Sequence, residues 1–174
     1  ARGLLVQQCN GTSVVGSAWP TTVKSAPGRE FLAYLKAGQA FYGEMWEDAR
    51  QGFAGLRTAR DPWVAEAAAY MLPRAELNAA QAHSFDEWGS FAGPEKSDLA
   101  ALARARSGFD AYLKRFGTGR YAGSARGLLR RVMWLGGETA PLSREYQRLL
   151  RTTPAGDPAA VDLVEEIDNK LFVE

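Results

Sequence analysis

The chain has 174 residues, 46% of them hydrophobic and 24% charged, with a formal net charge of +1. That length and apolar share suffice for one good-sized core or two small ones, and the 11% aromatic content argues against disorder. So neutral a balance excludes a global electrostatic drive toward nucleic acid or an acidic membrane, and no run of about 18 or more apolar residues is present to span one.

Residues 1–28 are rich in Gly, Ser, Thr and Val, with Pro20 and Pro27 as breakers, and read as an irregular N-terminal arm. Within it Leu4, Leu5 and Val6 fit a strand or a short helix, and Asn10-Gly11-Thr12 matches the N-glycosylation pattern. From Arg29 to residue 174 the period is helical. Phe31, Leu35, Gly38 and Phe41 form one stripe, Gly43 breaks it, and Trp46, Ala49, Phe53 and Leu56 form the next. Asp61-Pro62 opens a third helix by capping. Pro73 inside that helix removes a backbone bond and predicts a kink or break at Leu72. Ser84-Phe85-Asp86-Glu87 reads as a capping box opening a short helix through Trp88.

Ser97 or Asp98 caps a long helix carrying Leu102, Phe109 and Tyr112, and Gly117-Thr118-Gly119 is a turn. Tyr121 to Leu135 forms a further stripe closed by Gly136-Gly137. Thr139-Ala140-Pro141 and Asp157-Pro158 open the last two helices. About seven or eight helices with short links, and no alternating strand pattern, predict an all-α fold of antiparallel hairpins. Gly119, Gly123 and Gly127, four apart, predict a bare strip for close backbone contact. The missing initiator Met and the helical pattern running into Glu174 suggest a piece cut from a longer protein.

Catalysis finds little support. Cys9 and His83 are the only cysteine and histidine, too few for an internal disulfide or a Cys/His zinc site, so no metal is expected. His83-Ser84 does not make a triad, and Gly123-Ser124-Ala125-Arg126-Gly127 is not a nucleophile elbow. No phosphate-binding Gly-rich loop is present, so no nucleotide cofactor is expected. The carboxylates Glu44/Glu47/Asp48 and Glu165/Glu166/Asp168 read as solvated helix faces.

Charge segregation says more. Between Arg104 and Arg131 eight basic residues face only Asp110, whereas from Asp157 to Glu174 six acidic residues face only Lys170. The two stretches suit mutual pairing. Alternatively, the basic one forms a face for an acidic peptide, a C-terminal carboxylate or an anionic glycan. On that reading Arg120, Tyr121, Arg126, Arg130, Arg131 and Trp134 are the partner-binding residues, with Trp63, Tyr70 and Trp88 as further aromatic candidates for core or groove.

The stretch Ala40-Phe41-Tyr42-Gly43-Glu44-Met45-Trp46-Glu47-Asp48-Ala49 through Phe53 and Leu56 resembles a tetratricopeptide (TPR) unit, and Ala105, Phe109 and Leu113 repeat its ladder. Arg115 to Ala125 is similar to the inter-repeat link of bacterial envelope TPR proteins, with Gly117 where those carry a proline. Ala49 and Ala105 are 56 residues apart, not a multiple of the family's period of about 34, so the middle unit must be irregular. The resemblance implies a TPR-like α-solenoid acting as a non-catalytic scaffold for a protein or peptide partner. It further implies a periplasmic or outer-membrane setting, otherwise a cytoplasmic one, with the non-catalytic helical part of a peptidoglycan enzyme as the alternative function.

Overall fold

The computed structural model describes residues 19, 20 and 22–172. Leu4, Leu5, Val6, Cys9 and the Asn10-Gly11-Thr12 triplet lie outside the described residues. Seven α-helices follow one another: α1 (Ala26–Tyr42), α2 (Trp46–Leu56), α3 (Pro62–Ala80), α4 (Leu99–Arg115), α5 (Ala122–Leu135), α6 (Thr139–Thr152) and α7 (Pro158–Ile167). A 3₁₀ turn at Pro94–Lys96 and a π turn at Asp168–Phe172 complete the described elements, and none of these is a strand.

The helix starts follow local chemistry. Asp61, Asp98 and Asp157 each accept a backbone N–H from the first turn of α3, α4 and α7, satisfying donors that have no partner inside the helix. Ser97 does not cap α4; its hydroxyl bonds to that of Ser84 in the interior. Helix α1 starts three residues before the expected boundary. Ser25 caps it through Gly28 N–H, and Pro27 sits in the first turn, where a missing N–H costs nothing.

The helices stack as a solenoid of antiparallel hairpins. Along α3 and α4 the partners run in opposite order: Glu66 with Tyr112, Pro73 with Gly108, Glu76 with Arg104, Ala80 with Asp98. The first helix of each hairpin lies parallel to that of the next. Near their starts Tyr34 meets Trp63, and near their ends Arg74 lies over Phe41. Tyr70 then stacks on Tyr121, and Gln81 accepts from Arg131 eleven residues further along. Helices α1 and α3 start 36 residues apart (26 and 62), as do α5 and α7 (122 and 158); α3 and α5 start 60 apart (62 and 122). The middle unit is irregular as expected, and the 18 residues between α3 and α4 account for much of its extra length.

Two expectations are overturned, and that of a kink or break at Leu72 loses its second half. Helix α3 runs through Pro73 without a break. The ring is fully buried against Gly108, where a Cβ would come within 2.8 Å of it, and that packing offsets the backbone bond lost at Ala69. Residues 84–92 form no helix. The Asp86 carboxylate takes the N–H groups of Trp88 and Ser90, its own N–H donates to Ser90, and Phe85 bridges to Phe91. An aspartate that bonds the backbone locally competes with helix formation, so this segment is a tight hairpin-like turn with Gly89 at φ +81°. The second overturned expectation is the glycine strip. Gly119 lies in the turn before α5, and a Cβ at Gly123 would meet nothing within 4 Å. Gly119 is closely enclosed by Glu66 Oε1 and the Tyr112 hydroxyl, but helix-to-helix close approach occurs at Gly52, whose Cβ would lie 2.6 Å from that of Ala37, and at Gly108.

Two clusters make up the interior. The larger runs from Ala37 to Leu135 across five helices, and a small one joins Leu142, Tyr146 and Leu163. Trp134 packs against both.

Candidate functional site

The face formed by α1, α3 and the start of α5 carries a depression of about 290 Å³. Its lining falls out of helical spacing: Tyr34, Gly38 and Tyr42 at steps of four on α1, Tyr70 and Arg74 at a step of four on α3. Tyr121 enters from the residue just before α5. Its ring stacks on Tyr70 at 4.7 Å with the planes 6° apart, and the Tyr70 hydroxyl lies 2.5 Å from that of Ser124. Burial, reinforced by the neighbouring hydroxyls of Tyr121 and Tyr42, raises Tyr34 to about 12, so its hydroxyl stays a donor at neutral pH.

Arg74 is the charged group of this depression. Its guanidinium lies 5.3 Å from the Phe41 ring centre and 5.5 Å from that of Tyr70, and its one hydrogen-bond contact is a weak one to Met71 Sδ at 3.6 Å. No carboxylate pairs with it among the described residues. Arg131 is in a related position further along the same face. It donates to Gln81 at 2.8 Å, lies over Phe85 and Trp134, and burial without a counter-ion lowers its pKa. Half-buried cations held only by aromatic faces and an amide keep capacity for an anion.

The six residues expected to bind a partner do not form one surface. Tyr121 lines the depression, and Arg131 and Trp134 sit beside the Phe85/Phe91 turn. Arg130 points elsewhere. It grips Glu166 of α7 through two bonds of 3.0 and 2.6 Å, and Tyr146 and Lys170 bond the same carboxylate. Arg126 donates to the Gly117 carbonyl at 2.8 Å from an exposed position, and Arg120 is exposed with its backbone N–H bonded to Glu66. Among the described residues the basic stretch and the acidic end of the chain therefore do pair, at this one point. Glu166 corrects the reading of its cluster as solvated. Burial alone would raise its pKa, but the bonds from Arg130 and Lys170 outweigh that and hold it at about 2. Glu47 is exposed beside Arg50, as expected.

Trp63 packs against Phe31 and Tyr34, while Trp88 stands 83% exposed at the tip of the turn. Tyr34, Tyr42 and Arg74 were not among the sequence candidates. The signal was present as the tyrosine spacing 34–42 and the pair 70/74. It was masked because both helices are apolar on several faces.

A larger cleft of about 580 Å³ crosses α3 between α2 and α4. Its lining is mostly small residues such as Ala54, Gly55, Ala69 and Gly108, and Arg115 at its end already donates to the Arg57 carbonyl. Its arginines, Arg57 and Arg115, lie at exposed positions, whereas Arg74 is half-buried among tyrosines. No group of three or more His, Cys, Asp or Glu among the described residues could hold a metal ion, and no described helix is long and apolar enough to cross a membrane. Comparison with protein-family models, with curated proteins and with solved structures finds no match.

Proposed function

We propose that this chain is a non-catalytic scaffold whose α1/α3/α5 face binds an acidic peptide segment. The observation that carries the reading is Arg74, a half-buried guanidinium without a carboxylate partner among the described residues, set among tyrosines on an open face. A peptide carboxylate there would receive a charge-assisted bond from Arg74, and Tyr34 and Tyr42 line the same depression. Gln81, the partner of Arg131, lies seven residues beyond Arg74 on α3, about 10 Å along the axis. An extended chain covers that in about three residues, so a segment with two acidic side chains so spaced would meet both cations. Flat tyrosine rings give contact area at low entropic cost. The TPR resemblance and the bacterial-envelope setting stand with this reading as parts of the same proposal.

The test is calorimetric titration with an extended Asp/Glu-containing peptide and its Asn/Gln counterpart. The acidic peptide should bind and the amide peptide should not. Arg74→Ala should weaken binding about tenfold or more, as loss of one charge-assisted contact does, while Arg126→Ala should leave it unchanged. Equal binding of both peptides, or loss with Arg126→Ala but not Arg74→Ala, would reject this face as the site.

A further inference from the structure

Among the described residues, four of the nine exposed large apolar side chains fall in the last quarter of the sequence: Leu150, Val161, Val164 and Phe172. Val161 and Val164 are 61% and 49% exposed. The 36-residue offset that carries the start of α5 onto the start of α7 places them at the positions of Ala125, fully buried, and Leu128, packed on the main core. The 60-residue offset from α5 back to α3 reaches Ala65 and Ala68, both buried. In α3 and α5 this side of the helix is enclosed because each packs on the helix before it and the one after it; α7 packs on α6, is tied to α5 through Arg130 and Glu166, and is followed among the described residues by the short π turn alone. Among the described residues this face of α7 is therefore left open, whereas its counterparts on α3 and α5 are covered.

The charge around this face selects its occupant. Asp162 and Glu165 on α7 and Asp168 at the start of the π turn are exposed and form no ion pair among the described residues. A two-fold contact between copies through α7 would set these carboxylates against themselves, and acidic lipid would be repelled likewise. We infer that the exposed face of α7 docks an amphipathic helix of another protein, one with an apolar strip at steps of three and four and flanking Lys or Arg. This surface is separate from the tyrosine face and does not depend on it.

The test uses two labelled helical peptides with the same leucine strip, one flanked by Lys and one by Glu, followed by fluorescence anisotropy at low and high salt. The Lys peptide should bind about tenfold or more tightly than the Glu peptide, and more weakly in high salt. A Val161→Asp/Val164→Asp variant with intact circular dichroism should lose that binding, and Arg74→Ala should not. Should that variant misfold, Asp162→Lys/Glu165→Lys changes only exposed side chains and should reverse the preference between the peptides. Equal binding of both peptides, or an unchanged preference in the charge-reversed variant, would overturn the proposal. So would sedimentation showing a dimer that Val164→Asp dissociates, or a longer product of the same gene that blocks the Lys peptide with its own helix.

Discussion

Glu166 shows how one side chain can tie three elements together. Arg130 of α5, Tyr146 of α6 and Lys170 beyond α7 all donate to it. Its folded-state pKa of about 2 lies below the ordinary 4.5. A depressed carboxylate stabilises the fold fully above the unfolded value and loses that contribution as pH falls through the folded one. The shift sets a ceiling of about 3 kcal/mol, and partial exposure of the pair reduces it to about 1–2 kcal/mol. Chemical denaturation across a pH series should therefore show stability falling between pH 4.5 and 2. Glu166→Gln should cost about 1–2 kcal/mol at neutral pH and flatten that limb. An acid limb identical in the variant would assign the loss to other carboxylates. Glu76 plays a similar part in the middle of the molecule, buried between Arg50 of α2 and Arg104 of α4.

At the scale of an element, the hairpins close where one helix lacks a side chain. Two glycines of α2 make the point, since they share a helix and differ in surroundings. A Cβ at Gly52 would lie 2.6 Å from the Ala37 Cβ and 3.3 Å from its Cα, and backbone cannot yield as a flexible side-chain tip can. A Cβ at Gly55 would meet nothing within 4 Å. Gly52→Ala should therefore destabilise by about 1–3 kcal/mol through overpacking, whereas Gly55→Ala should stabilise by about 0.5–1 kcal/mol through helix propensity. Thermal melts of the two variants beside the parent chain check both signs. Two shifts in the same direction would mean that α1 and α2 are not in the contact described. The Pro73–Gly108 pair follows the same logic with a ring in place of a methyl group.

For the whole molecule, a stack of hairpins holds together through neighbours, so stability varies along it. Helix α3 is packed on both sides within the large cluster, whereas α7 contributes Leu163 to a cluster of three buried residues. Amide hydrogen exchange should find the slowest protons in α3 and α4 and the fastest helical ones in α7. Uniform protection along the chain would instead indicate one cooperative unit. A bound helix on the α7 face should slow exchange in α7 most, which links this measurement to the docking surface proposed above.

Much of the architecture was legible in the residues. Spacing of apolar side chains located the long helices, and Asp61, Asp98 and Asp157 marked three of their starts, because a helix start is a local matter of which oxygen meets which free N–H. No break occurs at Pro73 because local rules count the lost bond and cannot see Gly108 arriving from 35 residues away to bury the ring. The segment after Ser84 was misread because Asp86 had two ways to bond backbone, and the contacts of Phe85 and Phe91 with Trp134 hold the turn. The site divides likewise. Local sequence sufficed to place Arg126 and Arg130 four apart on one helix, but not to say that Arg130 would bond Glu166 while Arg74 was left without a carboxylate among the described residues. Which cations find a carboxylate depends on distances between helices, and those exist only once the hairpins have stacked.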